Sequence, residues 1–127
     1  MESDGDVCLL LTDDMLFSSR ITGTAQALGL KVNVVKSVND LRAQAQERMP
    51  TCVIIDLSRP GLQVPELVRE LKGVGSPTPR LVAYGSHVDV TTLRAAREAG
   101  CDMVLARSQF VEKLPHELAA WMTPSGP

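Results

Sequence analysis

The most constraining feature of the sequence is an apolar pattern that changes its period repeatedly along the chain. Short, continuous apolar runs, typical of strands buried on both faces, alternate with segments of helical spacing. The predicted strands cover residues 7–11, 32–35, 52–55, 81–84 and 103–106. Strands and helices that alternate in this way, joined by short loops, predict a doubly wound α/β fold, with one parallel sheet covered by helices on both faces.

The ends of the predicted helices are indicated by capping residues and by proline. The helices are expected over residues 17–28, 38–48, 64–71, 92–99 and 114–122. Ser37 is a suitable N-cap, and Gly29 and Gly100 are suitable residues to end a helix. The last helix is predicted to begin near Leu114, because Pro115 is tolerated in a first turn but not later. One domain is expected over residues 7–122, with flexible ends at 1–6 and 123–127.

Composition and charge exclude several classes of protein. A chain of 127 residues suits one domain, and 44% hydrophobic with 22% charged residues is typical of a soluble globular protein. A net charge of −2 gives no reason to expect nucleic acid or an anionic membrane as partner. The acidic N-terminus does not resemble a secretory signal, and the apolar runs are too short to span a bilayer. The three widely spaced cysteines are expected to be reduced, and the expected location is cytoplasmic.

The residues that end the predicted strands could form an acidic site. Ligands of open α/β sheets bind beyond the carboxyl ends of the strands, where Asp13 and Asp14 follow strand one and Asp56 ends strand three. If these two strands are neighbours, three carboxylates converge, and a divalent cation such as Mg²⁺ would offset their repulsion. A carboxylate beside Mg²⁺ can act as a nucleophile toward phosphorus. Arg107 could pair with the acidic cluster or with a phosphoryl group.

The same residues also have a purely structural interpretation. A single aspartate after a strand is usually a turn or helix-cap residue, so Asp14 or Asp89 alone would indicate little. His87 and His116 are expected to be solvated rather than ligands. Residues 12–16 lack the glycines that a dinucleotide-binding loop would place after strand one.

From about residue 7 to residue 122 the sequence resembles the receiver domains of two-component response regulators. The residues that carry the resemblance are the pair Asp13-Asp14, the run Val53-Ile54-Ile55-Asp56, Pro60 four residues later, and the segment 93–102. The resemblance implies a flavodoxin-like sheet with strand order 2-1-3-4-5. It also implies a signalling domain rather than an enzyme, with phosphoryl transfer to Asp56 from a histidine kinase or phosphotransferase. Mg²⁺ would then be held by Asp13, Asp14, Asp56 and the backbone carbonyl of Ser58.

Several positions depart from the receiver pattern. The switch hydroxyl at the end of strand four is replaced by Gly85, with Ser86 next along the chain. The lysine of strand five is replaced by Arg107, and Ser108 stands where a proline usually follows. Val104 occupies the position of the switch aromatic. These departures resemble degenerate or pseudo-receiver members of the family.

Two hypotheses follow. In the first, the chain is a stand-alone receiver-like domain phosphorylated at Asp56. In the second, it is a phosphorylation-independent pseudo-receiver that acts as a protein-binding module. In both, output passes through contacts with a downstream target protein. The expected contact surface lies on helix four, strand five and the last helix, around His87, Arg94, Arg97 and Phe110. The sequence predicts neither a nucleic-acid partner nor a membrane partner, and it does not indicate the oligomeric state.

Overall fold

The computed structural model describes residues 6–73 and 78–123, and it contains a five-stranded parallel sheet with order β2-β1-β3-β4-β5. The strands are β1 (Cys8–Leu11), β2 (Val32–Val35), β3 (Cys52–Asp56), β4 (Arg80–Gly85) and β5 (Met103–Ala106). The helices are α1 (Met15–Ala27), α2 (Val38–Arg48), α3 (Val64–Lys72), α4 (Val90–Ala99) and α5 (Arg107–Met122). The predicted fold class and strand order are confirmed.

The two faces of the sheet bury two separate cores. Alternate side chains of a strand point to opposite faces, so each strand contributes to both cores. One face is covered by α2, α3 and α4, and its core is aliphatic, as Leu9 and Ile55 illustrate. The other face is covered by α1 and α5 and contains Leu10, Ile54 and the aromatic side chains. The central strands β1 and β3 are buried on both faces, which explains their uninterrupted apolar runs.

Most predicted helix ends are confirmed. The side chain of Ser37 accepts a hydrogen bond from the backbone N–H of Asp40 at 3.0 Å, which makes Ser37 the N-cap of α2. Asp89 caps α4 in the same way, so that helix begins two residues earlier than predicted. Gly100 ends α4 with φ of +110°, a conformation that favours glycine.

The predicted start of the last helix near Leu114 is wrong. Helix α5 begins at Arg107, directly after β5, and Pro115 lies inside it. Proline costs about 3 kcal/mol in a helix interior because it has no N–H to donate and its ring crowds the preceding turn. Two observations account for its presence. Pro115 is exposed, so the carbonyl that loses its partner lies near water, and residues at helical spacing, Phe110, Leu114, Leu118 and Trp121, are buried. Burial contributes about 1.5–3 kcal/mol for each such side chain, which outweighs the proline.

The predicted flexible ends, 1–6 and 123–127, fall outside the described residues except for Asp6 and Thr123. The domain boundaries at 7 and 122 therefore stay a prediction. Within residues 6–73 and 78–123, no helix combines the length and the apolar character that crossing a membrane requires.

Candidate functional site

Asp56 lies at the carboxyl end of β3 and is 1% exposed. Both oxygens of its carboxylate accept hydrogen bonds. The hydroxyl of Thr12 donates to Oδ2 at 2.7 Å. The hydroxyl and the backbone N–H of Ser58 donate to Oδ1 at 2.6 and 3.0 Å. A buried carboxylate is stabilised when such donors compensate its lost hydration, so Asp56 is held in place by its immediate neighbours.

Thr12, rather than either predicted aspartate partner, contacts Asp56. Leu10 of β1 pairs with Ile54 of β3, and two residues further along each strand the same face carries Thr12 and Asp56. The contact of Thr12 with Asp56 was not predicted, because only the acidic residues after strand one were considered as partners of Asp56. The signal that could have found it is the period of two along strand one.

Asp13 and Asp14 have other contacts. The side chain of Asp13 is 65% exposed and lies 3.5 Å from the guanidinium of Arg59, which also donates to the carbonyl of Lys36 at 2.7 Å. Asp14 is the N-cap of α1, where its side chain accepts from the N–H of Phe17 at 3.0 Å. The capping interpretation of Asp14 therefore matches its geometry.

In their present contacts the predicted magnesium ligands do not converge on one point, so the magnesium site stays a prediction. The oxygen ligands are of the type that Mg²⁺ prefers, but they would have to surround one point. Asp56 uses both oxygens in hydrogen bonds, Asp14 caps a helix, and Asp13 faces Arg59. Ser58 contacts Asp56 through its N–H and its hydroxyl, and the role predicted for its backbone carbonyl stays a prediction. Across residues 6–73 and 78–123, no group of three or more His, Cys, Asp or Glu side chains is placed to hold a metal ion.

Arg107 is the first residue of α5, and the structure does not bring it to the acidic residues. Its guanidinium carbon lies 5.2 Å from the ring centroid of Phe17 and 5.9 Å from that of Tyr84, within cation–π range. In the part of the chain that the structure describes, Arg107 forms no ion pair with a carboxylate, and its buried Nε has no hydrogen-bond partner.

Tyr84 is a buried neighbour of Asp56 that the sequence analysis did not single out. It pairs with Asp56 across β3 and β4 and packs against Phe17 and Phe110, with ring centroids 5.0 and 4.7 Å away. Its hydroxyl is buried without a hydrogen-bond partner among the described residues. Burial, and next the charge of Asp56, raise the pKa of Tyr84 well above its usual range, so the phenol is neutral at physiological pH.

Comparison with known proteins connects this geometry to one class of fold. No protein-family model matches the chain. The photosynthetic apparatus regulatory protein RegA of Cereibacter sphaeroides is 29% identical over 115 residues, and its counterpart in Rhodobacter capsulatus is 27% identical. The alignments cover 88% of this chain and 60% of each relative, so the chain matches less than two thirds of their length.

Solved structures agree closely in backbone. A response-regulator receiver domain from Bermanella marisrubri aligns with a TM-score of 0.79 and 19% identity, covering 92% of this chain and 98% of the other. The chain has the receiver fold of response regulators. The receiver domain of a Pseudomonas aeruginosa sensor histidine kinase aligns with a TM-score of 0.76 and 21% identity, covering 93% and 98% of the two chains. That structure contains a magnesium ion coordinated in its active-site cleft.

Three positions that depart from the receiver pattern, Gly85, Ser86 and Val104, lie at the end of β4 and in β5. Gly85 faces the aliphatic core, where an added Cβ would lie 3.4 Å from Cβ of Leu57 and from Cδ2 of Leu93. Ser86 is exposed, and its hydroxyl accepts from the N–H of Val88 at 3.3 Å, within its own turn. Val104 is buried in the aliphatic core.

One residue of the predicted contact surface is placed differently. Phe110 is fully buried between Tyr84 and Trp121, so the prediction that it contributes to a partner surface is wrong. The helical spacing of α5 turns Phe110 toward the sheet with Leu114. His87, Arg94 and Arg97 are exposed, as that prediction requires.

Proposed function

We propose that this chain is a pseudo-receiver: a receiver-fold domain that signals through protein contacts without magnesium-dependent phosphorylation of Asp56. The observation that carries the proposal is the hydrogen bonding of Asp56, whose two oxygens accept from Thr12 and Ser58 while Asp13 and Asp14 are committed elsewhere. This is the second of the two hypotheses that the sequence raised.

The argument against a working phosphoacceptor is chemical. A carboxylate that attacks phosphorus needs an available lone pair and nearby positive charge to offset the charge of the incoming phosphoryl group. Donors at 2.6 and 2.7 Å stabilise the resting carboxylate and compete for its lone pairs. Arg107, the cation that follows strand five, lies within cation–π range of two aromatic rings and forms no ion pair with Asp56.

The first hypothesis remains the second candidate, because one observation favours it. Asp56 is the last residue of the central strand β3, and ligands of open α/β folds bind beyond the carboxyl ends of such strands. Under this hypothesis a histidine kinase or a phosphotransferase would phosphorylate Asp56, and the side chains of Asp13 and Asp14 would first have to leave their present contacts.

The contact surface that we propose lies at the start of α4. Val88 and Val90 are 74% and 55% exposed, and the arginines Arg94 and Arg97 are exposed further along the same helix. Exposed aliphatic side chains rimmed by charged ones are typical of protein-interaction surfaces. The partner we propose is therefore a downstream target protein that presents an apolar contact with acidic groups around it.

The decisive experiment is treatment of the purified protein with acetyl phosphate and Mg²⁺, followed by intact mass measurement. Neither the wild type nor Asp56→Asn is expected to gain the mass of a phosphoryl group. Thr12→Asp is the informative partner variant, because it removes one donor to Asp56 and places a second carboxylate beside it. An adduct on the wild type that is absent from Asp56→Asn would reject the pseudo-receiver and establish the phosphoacceptor.

A cellular test addresses the contact surface. In the organism that carries this chain, Asp56→Asn is expected to retain the wild-type phenotype, while Val88→Asp or Val90→Asp is expected to give the phenotype of a deletion. Matched circular dichroism spectra would exclude unfolding. Loss of the phenotype in a folded Asp56→Asn variant would contradict phosphorylation-independent signalling.

A further inference from the structure

A cavity of about 630 Å³ opens between α1, α5 and the loop after β4. Arg20 and Arg107 line it from the two helices, and Ser86 and His87 line it from the loop. The ring of Phe17 contributes an apolar wall, and Ser108 adds a second hydroxyl. Asp56 does not line this cavity. Volumes of this order are those of pockets that enclose small organic ligands.

The charge of the cavity points to an anionic ligand. No aspartate or glutamate lines it, whereas two guanidinium groups do, in a chain whose net charge is −2. Throughout the described residues, neither Arg20 nor Arg107 forms an ion pair, and Nε of Arg107 is buried without a hydrogen-bond partner. Two cations that face one cavity without a counter-charge repel each other, and a bound anion would remove that cost.

We propose that this cavity binds a small organic phosphate. Its oxyanion would lie between Arg20 and Arg107, and its organic part would cover the exposed portion of the Phe17 ring. A phosphate suits the lining better than a carboxylate, because two forked cations and the hydroxyls of Ser86 and Ser108 offer more donors than two carboxylate oxygens can use. Guanidinium groups recognise phosphate with paired hydrogen bonds, which a lysine cannot provide.

The ligand is held without covalent chemistry and without Asp56. The proposal is therefore independent of whether Asp56 accepts a phosphoryl group, and each can fail alone. Arg107 has two roles in it: its guanidinium lies within cation–π distance of the rings of Phe17 and Tyr84, and the same residue lines the cavity, where it would donate to the oxyanion.

The test is a titration of the purified protein with AMP and, separately, with inorganic pyrophosphate, without Mg²⁺, followed by two-dimensional NMR. AMP is expected to bind saturably and to shift the amide signals of residues around the cavity. Arg20→Gln is the principal variant, because Arg20 is exposed and its loss should not affect folding. It is expected to weaken AMP binding about tenfold, the loss typical of one charge-assisted hydrogen bond.

Arg94→Gln is the matched control, because it removes the same charge from an exposed helix position outside the cavity. Its affinity for AMP should equal that of the wild type, and Asp56→Asn should also bind normally. Either of two results would overturn the proposal: equal weakening by Arg20→Gln and Arg94→Gln, or no saturable binding of AMP below about 10 mM, whether pyrophosphate fails to bind too or binds alone. Binding of pyrophosphate without AMP would mean that the cavity recognises charge alone.

Discussion

Replacing Thr12 by valine tests directly whether a hydroxyl holds Asp56 in place. Valine has nearly the same shape as threonine, so the change removes the hydroxyl donor while filling nearly the same space. Thr12 donates to the carboxylate of Asp56 at 2.7 Å, and both residues are 1% exposed. The hydroxyl also accepts from the backbone N–H of Asp14 at 3.1 Å.

The expected loss follows from these two bonds. A hydrogen bond to a charged group contributes about 1.5–3 kcal/mol, and a neutral one contributes about 1 kcal/mol. Thr12→Val should therefore lower the free energy of unfolding by about 3 kcal/mol. Thr12→Ser keeps both bonds and loses one methyl group, so it should cost only about 1 kcal/mol.

The measurement is urea unfolding followed by the fluorescence of Trp121, the single tryptophan, which is buried. Repeating the substitution in a protein that carries Asp56→Ala separates the hydrogen bond to Asp56 from the one accepted from Asp14. In Asp56→Ala the acceptor is absent, and Thr12→Val should then cost about 1 kcal/mol. If Thr12→Val and Thr12→Ser were equally stable, or if the cost were the same in both backgrounds, the assignment of Thr12 as the partner of Asp56 would be wrong.

Two further predictions concern α5 and the buried phenol. Pro115→Ala gives the carbonyl of Val111 a backbone N–H to accept from, and it should raise the free energy of unfolding by about 1–2 kcal/mol in the same urea assay. A less stable variant would show that the ring itself contributes packing. Because the pKa of Tyr84 is raised on folding, the contribution of this phenol to stability should be fully present below its unfolded-state pKa of about 10 and be lost as the pH rises above it. Absorbance of tyrosinate from this single tyrosine should appear only as the protein unfolds, and ionisation near pH 10 in the folded protein would contradict the prediction. Tyr84→Phe should reduce the loss of stability at alkaline pH without abolishing it, because burial also raises the pKa of the Cys8 and Cys101 thiols.

The fold was largely predictable because buried parallel strands leave a clear pattern. The apolar runs at 52–55 and 103–106 match β3 and β5 to within one residue. Ser37 caps the N-terminus of α2 and Gly100 caps the C-terminus of α4, as capping rules require. The start of α5 was not predictable by a local rule. The cost of Pro115 is local, whereas the gain from burying Phe110 and Trp121 depends on tertiary packing that the rule does not include.

The candidate site was predicted in part. Asp56 lies at the end of β3, as the strand pattern indicated. Asp13 and Asp14 were predicted to share a site with Asp56 because they are acidic and directly follow strand one. The pleat of β1 instead turns Thr12 to the face of Asp56, and the N-terminus of α1 recruits Asp14 as a cap. The cation–π contact of Arg107 with Phe17 joins residues ninety positions apart in the chain, for which the sequence contained no local signal.

The segregation of side chains between the two faces of the sheet determines what spectroscopy can detect. All four aromatic residues, Phe17, Tyr84, Phe110 and Trp121, belong to the face covered by α1 and α5. Intrinsic fluorescence and near-ultraviolet circular dichroism therefore report on that half of the molecule and are silent about the other. Cys101 packs against the aliphatic half, while Cys8 and Cys52 lie in the aromatic one. The rate at which the Cys101 thiol reacts with a reagent thus provides an independent signal from the aliphatic half, and agreement between the two signals would mean that the halves unfold as one cooperative unit.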